Sequence, residues 1–218
     1  NAFEATNGQG DTITVRLRLR KVIDKLDFQS LEIEDTGIGF NNINFERLQR
    51  LYDESKNKNN LGTGRIQYLH FFDKTDIYSV YEEDGTKYKR RIVLSANFYP
   101  LNNGVIWASE PEVVDNATRL GTSVAFFYPL DEGDQEYYGN LTSEDIYNKI
   151  LIHYLDKFCI NKGNLQTINI ETYINDVKDV AQNKSINKDS IPSPDYQTSF
   201  NLNYQVYDKD KKNFVDVK

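Results

Sequence analysis

The chain has 218 residues, 39% of them hydrophobic and 27% charged, with a formal net charge of −7. That length holds one large domain, or one domain and the start of another, and the composition is that of a globular chain rather than a disordered one. The acidic balance argues against broad sequence-independent adherence to nucleic acid, without excluding a local basic patch. No apolar run approaches the ~20 residues a membrane span needs, and the polar first residues are unlike a secretory signal. The single cysteine, Cys159, cannot form an internal disulfide, which fits a reducing, cytoplasmic setting. It falls on an apolar helix face and reads as a packing residue. Methionine is absent and the first residues read as the inside of a helix, so a piece of a longer chain is expected.

Asn1 to Thr6 has the composition of the last turns of a helix, stopped by Gly8 and Gly10. Asp11 to Arg20 alternates, with Ile13, Val15, Leu17 and Leu19 on one face and Thr14, Arg16, Arg18 and Arg20 on the other. Leu31 to Phe40 alternates in the same way and offers Glu32 and Glu34 as cross-strand partners for the arginines, which favours a charged sheet face over a nucleic-acid surface. Two such strands describe a sheet with one apolar and one polar face. The fold class expected is therefore α+β, a two-layer sandwich with helices on one face of a mixed sheet.

Leu31–Phe40 ends in an Asp-Thr-Gly-Ile-Gly turn. Its glycines allow a tight turn and close approach to a ligand, and Asp35 at its mouth is placed to accept a hydrogen bond. A short helix is expected over Phe45–Tyr52, then a polar, mobile loop over Asp53–Gly64. Gly64 leads into a helix carrying Ile66, Tyr68, Leu69 and Phe72, whose glycine-flanked N-terminus suits a phosphate. His70 on that helix reads as a packed or capping residue. Asp76–Tyr81 and Lys87–Ala96 are strands around an Asp84-Gly85 hairpin turn, the second presenting Lys87, Lys89, Arg90 and Arg91 as a solvated face. Val105–Ala108 and Gly121–Tyr128 read as strands, and Asp131–Asp134 as an acidic turn. Thr142–Cys159 is the clearest helix, opened by a Thr142/Asp145 capping box. Thr167–Ile174 alternates as a strand, Asn175–Tyr196 reads as a linker or excursion, and residues 197–218 as the start of a second module.

Four of these features occur in a fixed order: an Asn on a first helix, Asp-x-Gly-x-Gly after a strand, a loop ending in Gly-x-Gly before a helix, and a Gly-Thr opening a late strand. This order, over residues 1–174, resembles the GHKL superfamily of ATPases, named for gyrase, the heat-shock chaperone, histidine kinases and MutL. The resemblance implies the family's Bergerat ATP-binding fold, with ATP and Mg2+ as ligands. It makes Asn1 the magnesium ligand, with Glu4 in a supporting role where many relatives carry Asp. Asp35 would accept from the adenine amino group, with Gly37 and Gly39 shaping the turn against the base and Thr122 backing it through water. Gly62, Thr63, Gly64 and Arg65 would form the phosphate-facing end of a lid, and Lys56 within it would reach the γ-phosphate.

In hydrolysing relatives a Glu one helical turn before the Asn activates water; that position precedes Asn1 and is not in this sequence. An Asp accepting from an amine discriminates adenine from guanine, whose carbonyl would leave two acceptors facing each other. No Gly-x-x-x-x-Gly-Lys-Ser/Thr is present, the dinucleotide fingerprint fails at Gln67, and one Cys with two His leaves no Cys/His metal site. The extension beyond the late strand favours the chaperone, MutL or MORC branches, in which ATP closes a dimer clamp, over histidine kinases. The expected function is thus an ATP-dependent conformational switch working as a homodimer through regions outside residues 1–218. The alternatives are a non-hydrolysing nucleotide-sensing module, a DNA-repair ATPase of the MutL or MORC kind, and a plain α/β domain with structural glycine turns. The client of the switch is open.

Overall fold

Alternating side chains make β1 (Thr12–Val22) and β2 (Lys25–Asp35) an antiparallel hairpin. Its odd-numbered β1 residues Ile13, Val15, Leu17 and Leu19 are all buried. The opposite face carries the expected charge pairing: Arg16 contacts Glu32 at 3.3 Å and Glu34 at 2.5 Å, and Arg18 reaches Glu32 at 3.6 Å. Glu171, from the far side of β1, joins Arg16 at 3.2 Å. The computed structural model describes residues 2–6, 10–49, 64–102, 104–193, 204–208 and 213–217.

Three short helices, α1 (Ala2–Ala5), α2 (Asn42–Gln49) and α3 (Gly64–Phe71), surround the two first strands in sequence. The β3 (Phe72–Glu83) and β4 (Thr86–Leu94) hairpin turns at Asp84 and Gly85, both at positive φ, as an Asp-Gly turn requires. After α4 (Tyr99–Asn102) come the small strands β5 (Ile106–Ala108) and β6 (Glu112–Val113), then β7 (Gly121–Pro129). Helices α5 (Glu132–Gly139) and α6 (Ser143–Ile160) lead to β8 (Thr167–Ile174), β9 (Val177–Lys178) and β10 (Lys184–Ile186). The ten strands form one mixed sheet in the order β10-β8-β1-β2-β7-β3-β4-β5, with β6 on β4 and β9 on β8. Within it β1 and β8 run parallel, and the other pairs run antiparallel. A separate hairpin joins β11 (Tyr204–Asp208) and β12 (Asn213–Val217).

The register lines up one apolar row across seven strands: Ile170, Val15, Ile33, Val124, Ile77, Ile92 and Ala108. Helices cover this face. Ile146 and Phe158 of α6 pack on β1 and β8, Leu48 of α2 and Tyr68 and Leu69 of α3 pack around Ile77 and Ile92, and Tyr138 of α5 meets Phe28 and Phe72. Phe3 of α1 sits edge-on to Tyr154 and Phe158 at 5.0 and 5.6 Å. The architecture is the expected α+β sandwich, helices on one face of a mixed sheet.

Several local expectations are corrected. Residues 131–134 are not a turn: Asp131 caps α5 by accepting from the Gly133 amide, and Glu132 and Asp134 sit in its first turn, where the helix dipole favours acids. Phe72 begins β3 rather than ending the helix. Arg90 is 5% exposed, not solvated, because strand alternation puts it on the covered face while Lys89 and Arg91 take the other. Cys159 is exposed, one position off the buried Phe158. Between Asn175 and Ser193 the chain returns to the sheet as β9 and β10, and Ile186 and Ile191 enter the core. The lid loop lies outside the described residues up to position 63.

Truncation of Phe158, buried between Phe3 and Tyr154, tests this core. Phe158→Ala is expected to cost about 3–5 kcal/mol, read in urea denaturation as a lowered midpoint with an unchanged slope.

Candidate functional site

Next to the apolar row, the same register builds a polar one. Asp35 on β2 pairs with Thr122 on β7, Thr122 with Ser79 on β3, and Ser79 with Arg90 on β4. All four face the helix layer, and all are buried, Asp35 at 7% exposure. Paired residues on adjacent strands share a face, so one end of a mainly apolar layer carries a carboxylate, two hydroxyls and a guanidinium.

The turn after Asp35 lies along this row and is fastened at each step. The Gly37 amide donates to Asp35 Oδ1 at 2.9 Å. Thr36 is tied to β1, its amide donating to the Thr12 carbonyl at 3.2 Å and its hydroxyl accepting from the Thr12 amide at 3.1 Å. The Ile38 amide donates to the Ala5 carbonyl at 3.1 Å, joining the turn to α1. A Cβ on Gly37 would overlap that same Ala5 carbonyl, so glycine is what lets α1 close on the turn. Gly39 has φ +76°, and a Cβ there would overlap the Val80 carbonyl. The Phe40 amide donates to Ser79 Oγ at 2.8 Å. Asn41 then caps α2 by accepting from the Asn44 amide at 2.9 Å.

α1 is held from below. Gln166 Nε2 donates to Thr6 Oγ1 at 2.7 Å, and the Thr6 hydroxyl donates back to the Ala2 carbonyl at 3.0 Å. At the other end of the row, Arg90 donates to Asn42 Oδ1 at 2.6 Å, and its guanidinium lies 4.4 Å from the centre of the Phe45 ring and 5.4 Å from that of Tyr81. Arg90 Nη1 and the Tyr81 hydroxyl are buried without a hydrogen-bond partner. Arg90 thereby pins the first turn of α2 to the sheet.

Of the sequence-predicted residues, Asp35, Gly37, Gly39 and Thr122 come together at this end of the sheet, and Glu4 lies exposed on α1 beside them. Gly64 and Arg65 open α3, which continues into β3. Asn1, Lys56, Gly62 and Thr63 lie outside the described residues. Ala5, Thr36, Ser79, Arg90 and Gln166 were missed. Only Ser79 and Arg90 had a usable signal, as polar residues on the inward phase of strands otherwise apolar there. Among the described residues no group of His, Cys, Asp and Glu could hold a metal, and no helix is long and apolar enough to cross a membrane.

Burial raises the Asp35 pKa above the ordinary carboxylate range, outweighing the Gly37 and Thr122 amides that favour its charge. No ion pair to Asp35 is formed among the described residues, so the support for its charged form comes from the backbone amides of the turn and of β7.

No family model matches the chain, and no curated protein matches it. Solved structures similar to it include the N-terminal domain of a DNA repair protein, at 12% identity over 85% of this chain and 49% of that one, TM-score 0.43. The Aquifex aeolicus MutL ATPase domain complexed with ADP is similar at 13% identity over 80% and 56%, TM-score 0.39. The ATPase region of Saccharomyces cerevisiae topoisomerase II bound to ICRF-187 (dexrazoxane) is similar at 13% over 82% and 46%, TM-score 0.38. The chain spans about half the length of these structures.

Asp35 sets a pH dependence of known sign. Its folded pKa is raised, so its contribution to stability is fully present below the unfolded value and is lost as pH rises through the folded one. Asp35→Asn keeps an acceptor for the Gly37 amide and removes the buried charge. Its melting temperature at neutral pH is expected to exceed the unaltered chain's by roughly 2–4 °C per kcal/mol relieved, with the difference vanishing in acid. A calorimetric pH series checks this; a variant less stable at neutral pH would count against it.

Proposed function

We propose that residues 1–174 are a GHKL-type ATP-binding domain and that Asp35 receives the amino group of adenine. The observation that carries this is the buried carboxylate of Asp35 directly opposite Thr122, at the mouth of a glycine turn and on the covered face of the sheet. A buried acceptor that is only partly satisfied favours a ligand supplying N–H donors. The turn geometry supports it: Gly37 lets α1 close over the turn and Gly39 lets it fold against β3, so the base would sit between α1 and the row.

In this proposal Asn1 would hold Mg2+, and Lys56 and the Gly62–Arg65 segment would serve the phosphates. The start of α3 at Gly64 puts the unpaired amides of a helix N-terminus at the end of that segment. The ion would neutralise phosphate charge; what the chain itself does is bind the base, orient it with Asp35 and Thr122, and carry the lid between α2 and α3. The working cycle would be a conformational switch, chaperone-like or MutL/MORC-like, acting through dimer closure. Activation of water would fall to a Glu upstream of Asn1.

Titration calorimetry with ATP and ADP in the presence of Mg2+ tests the reading. The unaltered chain is expected to bind both. Asp35→Asn keeps its Oδ1 on the Gly37 amide and turns an amide donor toward the adenine amine, so binding should weaken about 10²-fold while the fold persists. Equal affinity in the variant would remove adenine from Asp35.

A further inference from the structure

Ser79 lies in the middle of the polar row, wholly buried, and its hydroxyl has three neighbours. The Phe40 amide donates to it at 2.8 Å. The Gly121 carbonyl is 3.2 Å away and can only accept, so it takes the hydroxyl proton. The Thr122 hydroxyl is also 3.2 Å away. A hydroxyl has one proton and two lone pairs. With the proton on Gly121 and one lone pair on Phe40, only the second lone pair remains for Thr122. Thr122 must therefore be the donor in that contact, and its single proton is spent inward.

The consequence reaches the adjacent position of the row. A Thr122 hydroxyl whose proton points at Ser79 presents only lone pairs on its other side, where Asp35 stands on the neighbouring strand. Asp35, when ionised, also presents only lone pairs. We propose that Ser79 is a specificity-determining positioning residue: it fixes Thr122 as an acceptor, so that the pocket offers acceptors alone and selects an amino-bearing base edge over a carbonyl-bearing one. This deepens the nucleotide reading and rests on it. Were the Ser79 proton turned to Thr122 instead, the Thr122 hydroxyl could donate outward to a ligand carbonyl and the selection would weaken. The Gly121 carbonyl prevents that by holding the Ser79 proton.

The test compares ATP with inosine triphosphate, which carries a carbonyl in place of the amino group. Affinities are measured by calorimetry for the unaltered chain, Ser79→Ala, Thr122→Val and the double variant. The unaltered chain should prefer ATP. Ser79→Ala frees the Thr122 proton and should narrow the ATP preference about tenfold, the worth of one buried hydrogen bond. In the Thr122→Val background the same Ser79 substitution should leave the ratio unmoved, because Ser79 acts only through the Thr122 hydroxyl. An unchanged ratio in Ser79→Ala would show that Ser79 merely supports the turn through Phe40, and would overturn the proposal. An equal shift in the Thr122→Val background would overturn it too. Should Ser79→Ala not fold, Ser79→Cys takes its place: its thiol fills the site but is a poor acceptor for the Thr122 proton, so the same narrowing is expected and an unchanged ratio overturns the proposal. If the unaltered chain binds neither nucleotide, the nucleotide reading itself falls and takes this proposal with it; loss of selectivity control with ATP binding intact touches this proposal alone.

Discussion

The register of β2 against β7 is the constraint on which the rest depends. It sets Asp35 opposite Thr122 and, one row inward, Ile33 opposite Val124. Side chains in a strand alternate with period two, so a slip of one residue would send the acid to the outer face and bring Glu34 and Glu32 into the core. The apolar rows forbid this. Val15, Ile33, Val124, Ile77 and Ile92 share the covered face only in the observed pairing, and the outer ladder of Arg16 and Arg18 with Glu32, Glu34 and Glu171 fits the same register. Hydrophobic burial thus holds the carboxylate in a place it would not choose by itself.

The turn behind Asp35 is a consequence of that placement. With Asp35 fixed at the end of β2, the next six residues must cross the ends of β7 and β3 to reach α2. They are stopped at three stations, β1 through Thr12, α1 through the Ala5 carbonyl and β3 through Ser79, and where α2 begins a fourth ties Asn42 to Arg90 of β4. Each uses backbone or short polar groups, which define position more sharply than apolar contact does. Arg90 is the costly member, a buried guanidinium with Nη1 unpaired. Its planar face against Phe45 recovers part of that cost through cation–π attraction.

The sheet was legible in the sequence because its signal is local. β1 and β8 alternate cleanly, Asp84-Gly85 makes the hairpin it promises, and the Thr142/Asp145 capping box opens α6. The order of glycine turns likewise brought Asp35, Gly37, Gly39 and Thr122 to one end of one sheet. What escaped was nonlocal or ambiguous in kind. Glu132 and Asp134 favour a turn or a helix start equally well, and only the cap at Asp131 decides. Lys87 to Arg91 look like one basic run until a partner surface separates inward Arg90 from its outward neighbours. Gln166 meets Thr6 across 160 residues, and Ser79 meets Thr122 across 43. No window of sequence contains such pairs.

The position of the polar row explains how one fold tolerates it. At the centre of the sheet an unpaired carboxylate would disrupt packing on every side. At the end, Asp35 borders the apolar row on one flank only and has the glycine turn on the other, where the backbone supplies amides. Those amides reduce the penalty without cancelling it, as the raised pKa of Asp35 shows. The remainder is a standing bias toward any ligand that brings a donor to the carboxylate, because such a ligand stabilises the ionised form that burial disfavours. Since the same turn is bonded to α1, β3 and, through α2, to β4, that local gain would be felt by every element that borders the site. If the nucleotide reading proposed for the site holds, a carboxylate in a partly satisfied environment, on a turn tied to several elements, gives a small ligand the means to shift the balance of the whole domain.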